Sequence, residues 1–562
     1  MIQNPRDFDN LIAPMRAHAN AAPDHPALSL RSGETMYHRS RRQIMAGAEA
    51  WAKKLIQIDV KPGAVIFIFL DHHPQQYEAF LGAVIMGAIP SFMPPLTAKQ
   101  KPEIYWPHHR NLIERTKPGA IILDGARATG LAANLDLAGI ILITPDQIDQ
   151  IGEGEVVAEI PVTRTVDDLA FLQHSSGTTR TKKGVGLSHR AVLRQIAAYG
   201  ERLEISSQDK IASWLPLYHD MGLIACFIMP MVLGIPIVAL DPFEWTMQPS
   251  LLLAAIEAHT CTLVWMPNFA FHHLARTRPA DQSFDLKSVR AWIDCSEPCR
   301  PASFDLFARI FGGDGVDQTR LQVCYAMAET VFAVSQTPLG VAPHRLKIDS
   351  AILRADGRIA PPAPGNGALE LLSNGTALPG IEIRIVDAHR QAVPEGHVGE
   401  IAISGEFLFD GYWNLRAETA EKLDQGWYYT HDQGFLHHGE LYVLGRIDDL
   451  LILNGRNFYA HDLEATLSDI DGLKPGRILA TSRWESDLGT DVCVILAEVD
   501  GPDAPTARAL QSQIMRRIYD QTQMMPREVL LIPPGTLLKS TSGKLNRAAN
   551  RERLLTAKDT SK

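Results

Sequence analysis

Residues Phe171 to His189 read FLQHSSGTTRTKKGVGLSH, and this stretch decides which fold and which chemistry to look for. An apolar strand over Leu169 to Gln173 runs into small hydroxyl and glycine residues: Ser175, Ser176, Gly177, Thr178 and Thr179. Two lysines follow, Lys182 and Lys183, and a helix opens near Ser188. Small side chains let backbone N–H groups and hydroxyls wrap a polyphosphate, and lysine adds positive charge. The loop is not a Walker A sequence, because G-x-x-x-x-G-K-[ST] requires glycine where Lys182 stands. A Ser/Thr-rich surface loop has the same composition, so at this point both readings stand.

Outward from the loop, the first third of the chain alternates helical and extended segments. Ala46 to Ile56 has helical spacing, Ala64 to Leu70 is an unbroken apolar strand, and Gln75 to Gly87 is helical again. Ala88 to Phe92 and Gly119 to Leu123 are short strands. Leu251 to His259, Thr262 to Trp265 and Ala302 to Phe311 continue the alternation as helix, strand and helix. Continuous apolar strands separated by helices imply an α/β fold with a parallel sheet covered on both faces. From about residue 340 to 447 short alternating strands (Ile381 to Val386, Gly399 to Ile403, Glu440 to Val443) indicate a β-rich lobe. The Pro- and Gly-rich stretch 340–367 suits an exposed insertion. Beyond it, 448–562 is long enough for a small α+β domain of its own, with strands near Asp449 to Leu453, Ile478 and Val492 to Val499, and helices at Ala460 to Leu467 and Thr506 to Ile518.

The 562 residues carry 54 Lys and Arg against 64 Asp and Glu, a net charge of −10, so no electrostatic footprint for nucleic acid is present. With 46% hydrophobic and 21% charged residues the chain is globular rather than disordered or fibrous. Six cysteines without a C-x-x-C pair argue against a zinc site and suit reduced thiols in the cytoplasm. The polar start MIQNPRDFDN lacks the apolar core of a signal peptide. Leu223 to Leu240 is apolar enough to be tested as a membrane span, but Pro230, Gly234 and Pro236 interrupt it, so it reads as a buried helix, a turn and a buried strand. Four His-His pairs (72–73, 108–109, 272–273, 437–438) are set aside as metal ligands, since adjacent side chains point apart on a strand or a helix.

The loop resembles the [ST]-S-G-[ST]-T-x-x-x-K-G-V sequence of the acyl-adenylate-forming (AMP-binding) enzymes. Further landmarks follow in that superfamily's order: WLPLYHDMG (214–222), YAMAET (325–330), WYYTHD (427–432), GRIDD (445–449) and STSGK (540–544). SWLPLYHDMGLI, Thr179-Arg180, GELYVLGRIDDLLILNGRNFYAHDLE and the insertion before Leu371 resemble the fatty acyl-AMP ligase branch most. The resemblance implies a large N-terminal adenylation core, residues 1–447, built of stacked α/β subdomains plus the β-rich lobe. A small mobile C-terminal lid, 448–562, joins it at the hinge residue Asp448.

It also implies chemistry: ATP activates a fatty acid, and the acyl group passes to carrier-protein phosphopantetheine. Lys544 would bridge the carboxylate and the α-phosphate, and Glu329 would hold Mg²⁺. Ser175, Ser176, Gly177, Thr178, Thr179, Lys183 and Thr330 would meet the phosphates. Asp432 and Arg446 would hold the ribose, with Tyr325 stacked on adenine, Ser296, Glu297, Ala326 and Met327 beside it, and Asp294 to Pro298 opposite. His219 matches a motif histidine near the acyl or pantetheine channel and is grouped with the catalytic residues. Trp214, Met229, Phe243, Trp265, Met266, Phe269 and Met327 are candidates for an acyl tunnel, although each taken singly suits ordinary core better.

Four positions depart from the pattern. Lys182 replaces a proline, Ala326 a glycine, Cys295-Ser296 a Gly-Ala pair, and His431 the glycine of Thr-Gly-Asp. None removes a charged group, but all lie where the nucleotide is expected. No Gly-x-Asp-Ser-Leu sequence is present, so any carrier protein is a separate chain. Two alternatives remain: an acyl-CoA synthetase using free coenzyme A, and a catalytically degraded binding protein of the same fold.

Overall fold

The computed structural model describes residues 3–96, 102–149, 165–174, 183–279, 281–363, 368–453, 456–474, 476–485, 490–501, 504–539 and 545–559. Helix Arg41–Gln57 begins at a capping box, in which Ser40 and Gln43 satisfy each other's backbone N–H, and this starts it earlier than its apolar spacing alone indicates. It buries Ile44, Met45, Ala48, Trp51, Ala52 and Leu55 at helical spacing, chiefly against helix Pro74–Ile85. The two helices touch because residue 82 is glycine: a Cβ there would sit 2.5 Å from the Trp51 Cβ and 2.6 Å from the Ala48 carbonyl oxygen.

The expected parallel sheets are present, as two units. Ile89–Phe92, Val65–Phe69, Ala120–Leu123 and Ile141–Ile143 form an all-parallel four-stranded sheet. A nine-stranded sheet has a parallel centre in the order Leu321–Ala326, Ala291–Asp294, Leu263–Met266, Ile211–Ser213, Ile237–Leu240 and Pro26–Ser32. Its outer strands run antiparallel: Thr35–Ser40 on one edge, Ala333–Gln336 and Thr376–Ala377 on the other. The apolar run at 223–240 resolves as read, into π-helix Met221–Ile228, helix Met229–Leu233, a left-handed Gly234 and strand Ile237–Leu240. No described helix is long and apolar enough to cross a membrane.

One expectation gains an element and another needs correction. The helix opens at Ser188 as expected, capping His189–Arg202, but strand Gly184–Ser188 precedes it and pairs antiparallel with Leu169–His174. A five-residue strand, roughly 15 Å long, therefore separates that helix's positive end from Lys183. Stretch 340–367 is also more than an exposed insertion. Strand Arg345–Asp349 pairs with Ala368–Leu372, and helix Ser350–Asp356 is capped by the buried Asp349. Ile348 and Leu353 pack on Phe435, Tyr442 and Leu444 of the β-rich lobe, a cluster too spread along the chain to show as local periodicity.

The lobe is antiparallel: Ile381–Val386, Gly399–Gly405 and Trp427–His437 in order, flanked by Leu423–Asp424 and Glu440–Arg446. Residues from 450 onward build a separate core. Ile478–Glu485, Thr490–Glu498 and Glu528–Ile532 form its sheet, and helices Ala460–Ala465 and Ala504–Thr522 accompany it. Phe458, Leu463, Ile495, Ile514 and Ile518 fill that core, which includes no residue before Leu451.

Candidate active site

A cavity of about 2,920 Å³ opens where the parallel strands end. Trp214, Pro267, Ser296 and Tyr325 line it, each at or just past the C-terminal end of a central strand, which is where open α/β sheets place their sites. The β-rich lobe closes one side with Asp432 and Arg446, and residues from Asp448 to Arg553 close another.

Asp432 and Arg446 face each other across neighbouring antiparallel strands, with Arg446 Nε 3.3 Å from Asp432 Oδ1. Tyr325 donates its hydroxyl to the other oxygen, Oδ2, at 2.6 Å. Burial pushes the Asp432 carboxyl up, and the nearby Glu329 and Asp449 charges push the same way, opposed by Arg446 and the tyrosine hydroxyl. Burial likewise drives the Tyr325 phenol well above its ordinary range, so it stays a neutral donor. Tyr325 as a whole is 8% exposed, with Val334, Ile401 and Ile403 in the same apolar cluster, and it lines the cavity.

Glu329 lies in the short turn Ala328–Thr330, with Oε1 held at 2.8 Å by the Tyr412 hydroxyl. Tyr412 also carries Lys183 on its ring, Nζ 4.7 Å from the centroid. Its two-residue strand, Gly411–Tyr412, pairs with Gly184–Ser188, so one tyrosine ties the base of the Ser/Thr-rich hairpin to the Glu329 carboxylate. Sequence reading missed Tyr412, because pairing across more than 200 positions leaves no local signal. Thr330 does not meet the cavity: it is fully buried, with its hydroxyl on the Met327 and Phe332 carbonyls. It braces the turn, and that turn ends in Val331 at φ +66°, a strained position for a β-branched residue.

Of the residues expected beside adenine, Ser296, Glu297, Ala326 and Met327 line the cavity. Glu297 Oε2 accepts the Phe269 N–H at 3.1 Å, at the start of helix Asn268–Thr277. Asp294 and Cys295 lie underneath, fully buried, so the change at Cys295 is absorbed by the core, and of the expected 294–298 wall only 296–298 reach the cavity. Ser296 (φ +71°) and His431 (φ +64°) both hold left-handed backbone, the conformation that glycine favours. His219 and Asp448 also line the cavity. Ser175, Ser176, Gly177, Thr178, Thr179 and Lys544 lie outside the described residues; the positions flanking them, His174, Lys183, Lys539 and Leu545, are on the cavity wall.

The apolar candidates divide. Trp214 stacks on Trp245 (centroids 3.6 Å, planes 6° apart), with Phe269 edge-on to both, and Trp214, Phe243, Phe269 and Met327 line the cavity. Met229, Trp265 and Met266 are fully buried core. One His-His pair also needs correction. His438 sits at φ +52° in the turn after strand Trp427–His437, which breaks the alternation rule, and the two rings lie 4.0 Å apart. Donor atoms of His437, His438 and Glu395 lie within 4.8 Å of one another.

The family model described as AMP-binding enzyme matches residues 15–413. The chain belongs to the AMP-binding enzyme family. This AMP-binding enzyme is 30% identical, over 91% of its length and 90% of the relative's, to the long-chain-fatty-acid–AMP ligase FadD26 of Mycobacterium marinum. It is 28% identical, over 96% and 94%, to a putative acyl-CoA synthetase of Caulobacter vibrioides. A structure from a study of fatty acyl-adenylate ligases of E. coli and L. pneumophila superposes with TM-score 0.90 at 25% identity, covering all of both chains.

Proposed function

We propose that this AMP-binding enzyme converts a medium- or long-chain fatty acid and ATP to acyl-AMP and pyrophosphate. The acyl group then passes to the phosphopantetheine thiol of a separate carrier protein. The observation that carries the reading is one cavity lined by two unlike groups of side chains: Glu329, Lys183 and the Asp432–Arg446 pair, and the aromatic Trp214, Phe243 and Phe269. That suits a substrate pair of polyphosphate nucleotide and apolar chain. The names of relatives spanning nearly the whole chain support it.

In the reaction the fatty carboxylate oxygen attacks the α-phosphorus, and the bond to the β-phosphate bridge breaks. Both reactants are anions, so positioning and charge neutralisation carry the catalysis. Asp432 accepts from the ribose hydroxyls while Arg446 and Tyr325 fix its orientation. Lys183 and Lys544 supply positive charge, with Ser175 to Thr179 cradling phosphate oxygens. Mg²⁺ suits the donor set, because Glu329 presents a hard carboxylate oxygen beside the phosphates' place and Mg²⁺ takes one or two carboxylates plus substrate oxygens. When bound it would neutralise phosphate charge.

Residues 1–447 form the body and 448–562 the lid, with Asp448 at the joint, and the reaction runs in the cytoplasm where ATP is plentiful. Coenzyme A is a second acceptor to weigh, given the Caulobacter relative's name. The segment 345–372 places Leu353, Arg354 and Leu369 on the cavity wall, which favours restricted access. The test is ATP–pyrophosphate exchange across acids of increasing chain length, followed by coenzyme A and a phosphopantetheinylated carrier offered in parallel. Exchange should require an apolar acid and vanish in Lys544→Ala. Exchange that survives that substitution refutes the role of Lys544, and none with any acid favours a binding protein of the same fold.

A further inference from the structure

His431 precedes Asp432 in left-handed backbone, a conformation costly for most residues although histidine is among those enriched there. Its N–H donates to Glu400 Oε1 at 2.8 Å. The imidazole then lies between carboxylates from two parts of the chain. Nδ1 is 3.6 Å from Glu400 Oε1, and Nε2 is 3.7 Å from Asp448 Oδ1. Both are ion-pair distances once the imidazole is protonated, and both are longer than hydrogen bonds. Glu400 belongs to a strand inside the β-rich lobe. Asp448 is the middle residue of the turn Ile447–Asp449, past which the chain builds its separate core.

Polar contacts also cross this boundary, beside the packing of Tyr459 on the Phe435–Tyr442 cluster. Arg300 Nη2 reaches the His461 carbonyl (3.2 Å) and Asp462 Oδ1 (3.4 Å), and the Tyr459 hydroxyl donates to Gln433 Oε1 at 2.6 Å. Two units joined by one short turn, each with its own core, change their relative pose readily unless something restrains them.

We infer that His431 is a positioning residue: its imidazolium clasps Asp448 to Glu400 and holds the C-terminal unit in the pose described, and the neutral imidazole releases it. The charged groups around the ring fit this assignment. Glu400 and Asp448 contact it directly. Asp432 and Arg446 are paired with each other alongside, and Asp449 is held by Arg547 at 3.2 Å. Lys422 also acts on Glu400; burial raises the Glu400 carboxyl, but His431 and Lys422 more than offset this and hold it below its ordinary value. Imidazoles as a class change charge between about pH 5 and 8, and a partly exposed ion pair shifts an equilibrium by up to about five-fold.

The test uses the unliganded full chain, with one fluorescent label at Met36→Cys on the body and another at Trp484→Cys on the C-terminal unit, both exposed positions. Raising the pH from 6 to 8.5 should shift the wild-type energy-transfer populations two- to five-fold toward the released pose. His431→Asn accepts left-handed backbone but carries no charge and should abolish the step. Asp448→Asn should do the same, and the double variant should equal either single one. His431→Gly, which relieves the backbone, should fold at least as well while losing the step. A His431→Asn profile that keeps the wild-type step, or a flat wild-type profile, overturns the assignment.

A kinetic readout rests on the adenylation reading: the ratio of pyrophosphate exchange to acyl transfer should follow the same step in wild type and not in His431→Asn. Absence of exchange with every acid would count against that reading alone, because the distance measurement needs no turnover.

Discussion

Tyr412→Phe deletes one oxygen atom and separates two roles of the side chain. The Tyr412 hydroxyl holds Glu329 Oε1 at 2.8 Å, while its ring supports Lys183. Phenylalanine keeps the ring and its cation–π contact, so the hairpin base stays supported. The lost interaction is a hydrogen bond to a charged group, worth about 1.5–3 kcal/mol, and each 1.4 kcal/mol is a factor of about ten. If Glu329 holds Mg²⁺, the Mg²⁺ concentration for half-maximal pyrophosphate exchange should rise about 10- to 100-fold. The kcat at saturating Mg²⁺ should change far less, since the carboxylate remains and only its preset orientation is lost. Thermal unfolding measured alongside should fall only slightly. An unchanged Mg²⁺ requirement in a stably folded variant refutes the argument that the Tyr412 hydroxyl positions Glu329.

Thr330→Val should cost about 0.5–1.5 kcal/mol in denaturant unfolding, because the buried hydroxyl's hydrogen bonding is lost while the Met327 and Phe332 carbonyls each keep a backbone N–H, and KM for ATP stays constant. A raised KM at unchanged stability would return Thr330 to the phosphates. Burial alone would raise the Asp209 carboxyl, but hydrogen bonds from Arg290, Ser206 and Thr262 hold it below the ordinary carboxylate range. A depressed native value contributes stability above the unfolded value and loses it as pH falls through the native one. Asp209→Asn should therefore lose about 3 kcal/mol at pH 7, and unfolding curves taken downward from pH 5 should show the gap to wild type closing. A gap that is constant with pH would sink that account. Trp214→Ala removes one face of the Trp214–Trp245 stack and should alter the chain-length optimum of exchange, with KM for the preferred acid rising about ten-fold; an unchanged optimum would place the acyl chain elsewhere.

Periodicity exposed the α/β core well. Unbroken runs such as Val65–Phe69 and the helices between them carry their burial in local spacing. It failed where partners are remote. Gly184–Ser188 is apolar enough to be a strand but reads as the approach to a helix, because its partners are Leu169–His174 across the loop and Gly411–Tyr412 much further on. The segment around Ile348 and Leu353 looked structureless for the same reason, its apolar contacts being with Phe435 and Tyr442. At the candidate site, charged residue types in motif order pointed to Glu329, Asp432 and Arg446, which line one cavity. Which way a side chain turns was illegible: nothing local distinguishes Glu329, facing the cavity, from Thr330, facing the core.

The pairing of Pro26–Ser32 with Ile237–Leu240 bears on how the chain is made. The partners are separated by roughly 200 residues, and ribosomes add about 5–20 residues per second. The first strands therefore emerge roughly 10–40 s before their parallel partner exists, with the Thr35–Ser40 hairpin arm covering one edge and helix Arg41–Gln57 following at once. Leu28 and Leu30, fully covered in the finished protein, are exposed during that interval.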